Sequence, residues 1–114
     1  MARSHALGRR GEGLAAVRVR VRGGRVLERN ARIRGACEVD IVARYGRTLA
    51  VIEVKARRAG GAAEAVGPAR VAGLSRAAQW LSGSRGYEWV RVIRLDLVTI
   101  DGYRVRYFAD AFPL

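Results

Sequence analysis

The chain has 114 residues, half of them hydrophobic, enough for one domain (1–114) that buries roughly two-thirds of its unfolded surface. Its 22 basic and 10 acidic residues give a formal net charge of +12, which points to a polyanionic partner, most often nucleic acid. With a single cysteine, Cys37, and a single histidine, His5, an internal disulfide is excluded and a zinc cluster lacks ligands. Any Ser-His-Asp or Cys-His centre would depend on that one imidazole.

There is no apolar run of membrane-spanning length and no secretory pattern, so the expectation is a cytoplasmic protein with no membrane association. By elimination, chemistry here would run on carboxylates, lysine and a hard metal.

In chain order, Ser4 suits the cap of a helix running from near His5 to about Arg22, with Leu7, Leu14, Ala15 and Val21 as a loose apolar stripe. Gly23-Gly24 stops it, although the alternation of Val17 to Arg22 also suits a strand. Glu12 sits between Gly11 and Gly13, each costing about 1 kcal/mol against alanine in a helix. Such a pair suits close approach of the helix to a sheet; Glu12 itself also reads as a solvated carboxylate beside an arginine. Arg25 to Arg29 reads as a short strand, and Asn30 to Gly35 as a basic connection carrying Arg32 and Arg34.

Next come two apolar strands joined at Tyr45-Gly46-Arg47-Thr48, with glycine at the first central position of a type II′ turn. A turn centred between Gly46 and Arg47 sets Asp40 opposite Glu53 and Glu38 opposite Lys55. Side chains alternate along a strand, so all four are expected on one face. Two full charges ~4 Å apart at an effective dielectric near 20 cost about 4 kcal/mol. A divalent cation would offset that cost, and Mg²⁺ takes oxygen ligands while keeping water and substrate phosphate in its other positions. The competing reading is a surface hairpin with an acidic polar face, in which Lys55 simply partners Glu38. Pattern alone leaves the two open.

Lys55 is the sole lysine among 22 basic residues. A compact ammonium beside a reacting phosphate or a metal-bound water is a role that the bulky, permanently charged guanidinium fills poorly. Beyond it, Ala56 to Gly61 forms a basic loop whose Arg57 and Arg58 lie at the mouth of the proposed site. A second helix is expected from Pro68 to Leu81, with Val71, Leu74, Ala78 and Leu81 as its apolar face. Trp89 to Ile100 reads as a strand, Asp101-Gly102 as a turn and Tyr103 to Phe108 as the returning strand. The apolar tail to Leu114 would cover a core or an oligomer interface. The order is α-β-β-β-α-β-β, an α/β fold with a mixed sheet flanked by helices.

Six ordered segments carry a resemblance that spans nearly the whole chain: Gly11-Glu12, Asn30-Ala31-Arg32, Cys37-Glu38-Val39-Asp40-Ile41, Ile52-Glu53-Val54-Lys55-Ala56-Arg57, Glu64-Ala65-Val66 and Arg94-Leu95-Asp96. In these the chain resembles the YraN-type family of small uncharacterised proteins, within the restriction-endonuclease-like PD-(D/E)XK nuclease superfamily that includes archaeal Holliday-junction resolvases. The resemblance implies a restriction-endonuclease-like fold and a metal-dependent endonuclease acting on DNA, with branched DNA as one substrate class. Asp40 and Glu53 would hold Mg²⁺ or Mn²⁺ with the Val54 carbonyl, Lys55 would orient the attacking water, and Glu12 would approach the metal from the first helix. Glu38 would be a further or outer carboxylate. A homodimer is implied by analogy with the resolvases.

There are departures: Cys37 stands where the family has glycine, the loop after Lys55 is shortened, and Arg70-Val71 replaces a Lys-Gln pair. The last leaves Arg70 to contact phosphate. The alternatives are a catalytically weak or inactive nucleic-acid-binding module of the same fold, and a basic RNA- or ribosome-associated protein.

Overall fold

A computed structural model describes residues 5–57 and 66–114, with side chains for 11–56 and 66–114. The elements follow the expected order: α1 (His5–Val21), β1 (Arg25–Ile33), β2 (Cys37–Tyr45), β3 (Thr48–Arg57), α2 (Pro68–Ser82), β4 (Val92–Asp101) and β5 (Arg104–Phe112). They build a mixed α/β structure, compatible with the restriction-endonuclease-like arrangement, whose sheet order β1-β2-β3-β4-β5 repeats the chain order. Neighbouring strands are antiparallel except β3 and β4, which run parallel. A parallel pair needs a crossover connection, and α2 supplies it. The crossover is seated where the N–H groups of Arg91 and Val92 both donate to the Arg47 carbonyl at the β2–β3 turn.

Each face of the sheet has its own core. Leu49, Val51 and Leu95 face α2 and pack with Leu74, Ala77, Ala78 and Leu81. Ala50, Ile52, Val54, Val98 and Ile100 face α1 and pack with Ala15, Ala16 and Val19. This alternation along β3 is the period of two that a strand buried on both faces requires.

Several expectations are corrected in detail. The stripe read on α1 included Leu14 and Val21, which are exposed, as is Val17, while the Leu7 side chain lies outside the described residues; among the side chains described, the buried stripe is Gly11, Glu12, Ala15, Ala16 and Val19. Alanine and glycine let the helix lie close to the sheet, and a Cβ on Gly11 would meet Ile100 at 3.3 Å and Val54 at 3.7 Å. Gly13 faces open space, so only one of the two glycines serves that approach. β1 runs on to Ile33 through Asn30, whose φ of 52° looks like a turn in sequence but is a kink inside the strand. β4 starts at Val92, after a turn holding Trp89 and Val90, and β5 continues to Phe112, absorbing the tail. Phe112 packs against the α2-side core.

On the α1 face, Asp96 has no exposed surface. It accepts two bonds from Arg94 Nε (2.9 and 3.0 Å), one from the Tyr107 hydroxyl and one from the Asp110 N–H (2.8 Å). These bonds tie β5 to β4 across an irregularity between Leu95 and Leu97, where Asp110 adopts a φ of 54°.

Replacing Asp96 with alanine removes every partner of that knot, and hydrogen bonds to a charged group each contribute on the order of 1.5–3 kcal/mol. Asp96→Ala should lower the unfolding free energy by about 2–3 kcal/mol in a urea titration, because Arg94 can rehydrate part of its charge. The Tyr107 and Tyr87 phenols are pushed up from their ordinary value, by burial first and then by bonding to Asp96 and Glu28. The folded chain therefore holds these protons more tightly than the unfolded one. That contribution is intact below pH ~10 and falls as the pH rises beyond it. An ultraviolet titration of the four tyrosines should show these two ionising only as the protein unfolds.

Candidate active site at the parting of β2 and β3

The β2–β3 hairpin forms in the expected register from Tyr45↔Thr48 to Ile41↔Ile52. Gly46 has a φ of 62° and Arg47 is not in the positive region, as a type II′ turn demands. Beyond Ile41 the ladder stops, while β2 stays paired with β1 as far as Cys37 and β3 stays paired with β4 as far as Arg57. The two strands part, and Asp40 lies at the parting.

The phase of β2 shows the cause. Val39 and Val42 belong to the α2-side core, but Ile41 and Ala43 belong to the α1 side. A regular strand would place 39, 41 and 43 together, so the alternation breaks at Asp40. Asn30 makes the matching break in β1, between Arg29↔Ile41 and Ala31↔Val39. Asp40 turns its carboxylate between the strands, where Oδ2 accepts the Val54 N–H at 2.8 Å. A side chain thus satisfies a backbone donor that the departed strand no longer reaches.

Glu53 and Lys55 lie on the α2 face of β3, and Asp40 and Glu53 both have no exposed surface. The Lys55 ammonium stands 3.9 Å from Glu53 Oε2 and keeps a quarter of its side chain exposed. Glu38 does not join them. Its neighbours Cys37 and Val39 pack into the α2-side core, so Glu38 points to the other face, within 3.8 Å of Arg32. The expectation that Glu38 opposes Lys55 on one face is therefore corrected, and the break at Asp40 is the reason.

Glu12 is buried on α1, and its Oε1 has no hydrogen-bond partner among the described residues. Gly11 beside it packs on Val54, Ala56 and Ile100, so Glu12 is carried at the same end of the sheet as Lys55 but on the α1 side. Among the described residues no group of three His, Cys, Asp or Glu side chains is gathered closely enough to hold a metal.

Of the residues expected to meet phosphate, Arg32 and Arg34 are exposed along the end of β1. Arg57 closes β3 with its side chain outside the described residues, and Arg58 lies outside them altogether. Arg70 is turned inward: Nε donates to Glu53 Oε2 at 2.9 Å and Nη2 to Oε1 at 2.8 Å. The bonds to Glu53 push the guanidinium pKa further up, with the Asp40 charge adding to the effect. Sequence reasoning missed this clamp, although it had marked Arg70 as a departure from the family pattern. It also missed that Cys37 lies beside the site, where burial raises its thiol pKa and the charges of Arg70, Glu53 and Asp40 all reach it.

A family model described as "Uncharacterised protein family UPF0102" matches residues 11–100, and the chain belongs to that family. It is 44% identical to a UPF0102 protein of Anaeromyxobacter dehalogenans, covering 94% of this chain and 84% of that one. It is 46% identical to one of Kineococcus radiotolerans over 83% and 80% of the two chains, and 40% identical to one of Geobacter sulfurreducens over 95% and 89%. The matched region contains Glu12, Asp40, Glu53, Lys55 and Arg70.

The approach of α2 that carries Arg70 over Glu53 passes through Gly73, where an added Cβ would meet the Cys37 Cβ and Sγ at 3.5 Å, an ordinary contact. Gly73→Ala should therefore be accommodated and raise stability by up to about 1 kcal/mol through helix propensity. Thermal unfolding checks this; a fall in the midpoint would mean that the helix sits closer to β2.

Proposed function

We propose that this chain is a metal-dependent phosphodiesterase of the restriction-endonuclease-like class that hydrolyses DNA. The observation that carries the reading is the pair of wholly buried carboxylates, Asp40 and Glu53, where β2 and β3 part, with the ammonium of Lys55 beside Glu53. Burying an ionised carboxylate is costly unless it is paired or coordinates a metal. The donors fit Mg²⁺ or Mn²⁺ in kind: two carboxylates and the Val54 carbonyl offer hard oxygens, and Mg²⁺ needs few from the protein when water and phosphate complete its shell. The Oε1 of Glu12, which has no hydrogen-bond partner among the described residues, is a further oxygen of the right type at the same end of the sheet.

The metal, when bound, lowers the pKa of a water and offsets charge on the phosphate. The chain's own groups do the rest. The Val54 N–H fixes the Asp40 carboxylate in orientation. Lys55, partly exposed, can donate to an attacking water or to a phosphate oxygen without Arg-like bulk. The +12 charge draws the polyanion, and Arg32, Arg34, Arg57 and Arg58 supply phosphate contacts along the end of β1 and beyond β3. A homodimer acting on branched DNA is part of the same reading.

One observation favours a second reading. Arg70 already neutralises Glu53 through two short bonds, so the buried charge is balanced with no metal, as a module that binds DNA without cutting it would require.

Labelled linear, flap and four-way-junction DNA incubated with Mg²⁺, Mn²⁺ or EDTA decides between them. The expected result is cleavage only with metal, loss of cleavage but not of binding in Glu53→Ala, and binding that weakens steeply with salt. Binding unaffected by metal, with no cleavage of any substrate, would establish the non-cutting module.

A further inference from the structure

Glu53 is held in a way that bears on how its site is used. Both of its oxygens receive guanidinium N–H groups from Arg70, at 2.8 and 2.9 Å, and the carboxylate has no exposed surface. Lys55 is 3.9 Å away. A two-point fork occupies one lone-pair position on each oxygen and sets a fixed positive charge against the carboxylate, where a cation binding the same oxygens would meet it. A divalent ion at Glu53 and an undisturbed Arg70 fork oppose one another, because together with Lys55 they would set four positive charges against the two buried carboxylates Asp40 and Glu53. Arg70 has somewhere to go. It stands on the first turn of α2, which Pro68 opens, and a quarter of its side chain is exposed. A guanidinium fork fits phosphate oxygens as well as it fits a carboxylate.

We propose that Arg70 is a resident counter-cation that closes Glu53 to metal until a phosphate of the nucleic-acid backbone draws it away. Metal and phosphodiester then bind cooperatively: the phosphate takes the arginine, and the carboxylate so released takes the ion. Without substrate the site is held shut by a fork already in place, and the chain does not carry an armed metal centre among the other phosphate esters it meets. This rests on the metal-dependent reading above and adds to it a positioning and gating role for Arg70.

The test measures Mn²⁺ binding by electron paramagnetic resonance, with no cleavage readout. The samples are the full chain and its Arg70→Gln, Arg70→Lys, Arg76→Gln and Glu53→Gln variants, each confirmed folded by circular dichroism. Arg70→Gln should bind Mn²⁺ about tenfold more tightly than wild type, within the usual range of coupling between two sites. Arg70→Lys, which keeps the charge but loses the fork, should fall between them. Arg76→Gln makes the same charge change further along α2 and should stay within about twofold of wild type. A phosphorothioate duplex that resists cleavage should tighten Mn²⁺ binding to wild type and do so much less for Arg70→Gln, and Glu53→Gln should abolish binding.

If Glu53→Gln abolishes Mn²⁺ binding but Arg70→Gln leaves it unchanged, the metal site stands and the gate is overturned. The gate is likewise overturned if Arg76→Gln tightens binding as much as Arg70→Gln does. Absence of Mn²⁺ binding in every sample, duplex present or not, overturns both the gate and the metal-dependent reading.

Discussion

A carboxylate taken out of water must be offset by a cation, and at Glu53 that requirement organises the surrounding structure. Its ionised form in a low-dielectric interior is tolerable only with close, well-directed partners. Arg70 meets the requirement with a planar fork and Lys55 adds a second positive charge at longer range. The position of α2 follows in part from this bond: the helix must bring its first turn over the end of β3 while its buried face packs against Val39, Val51 and Leu95.

The two faces of the sheet carry different kinds of polar group. On the α2 side Glu53, Lys55 and Arg70 gather near the end of β3, where part of the cluster reaches solvent. On the α1 side Asp96 is surrounded by Arg94, Tyr107 and the backbone of Asp110, with every partner accounted for. A carboxylate whose bonds all go to its own neighbours holds strands together, as Asp96 does for β4 and β5. Arg70 and Arg94 each keep about a quarter of the side chain exposed, but Asp96 is held as well by the Tyr107 hydroxyl and the Asp110 N–H, so a turn of Arg94 would not free it. β2 serves both faces because its alternation breaks at Asp40, and the same break opens the space between β2 and β3.

The element order was legible because hydrophobic period and turn chemistry agreed at each step: Gly23-Gly24, the Gly46 turn and Pro68 punctuate where they were expected to, and the turn expected at Asp101-Gly102 falls one residue on, at Gly102-Tyr103. Register near the turn was legible too, since a two-residue loop fixes it. Three things were not. Alternation extrapolated past Ile41 puts Glu38 opposite Lys55 on the face of Glu53, because a phase break leaves no trace in a pattern of residue types. The stripe on α1 was misassigned because leucine and valine attract the eye, whereas alanine and glycine mark a helix that lies close to a sheet. The Arg70–Glu53 pair joins residues far apart in sequence through a crossover, and no periodicity encodes such a contact. What sequence offered there was only that Arg70 stood where the related pattern has other polar residues, a signal of place without a partner.

Among the described residues the two non-glycine positions of positive φ, Asn30 and Asp110, fall one on each outermost strand of the sheet. A kink in an edge strand spoils the straight row of free N–H and C=O groups onto which a foreign strand would zip, and charged side chains along the edge add to the effect. β1 presents Arg25, Glu28, Arg29 and Arg32 along its length, and β5 presents Arg104 and Arg106. Both margins are thereby blunted against growth of the sheet. With a net charge of +12 the copies repel one another in dilute salt, but open edges would still invite them to pair into extended ribbons once that charge was screened. The kinks close that route of association at both margins of the sheet.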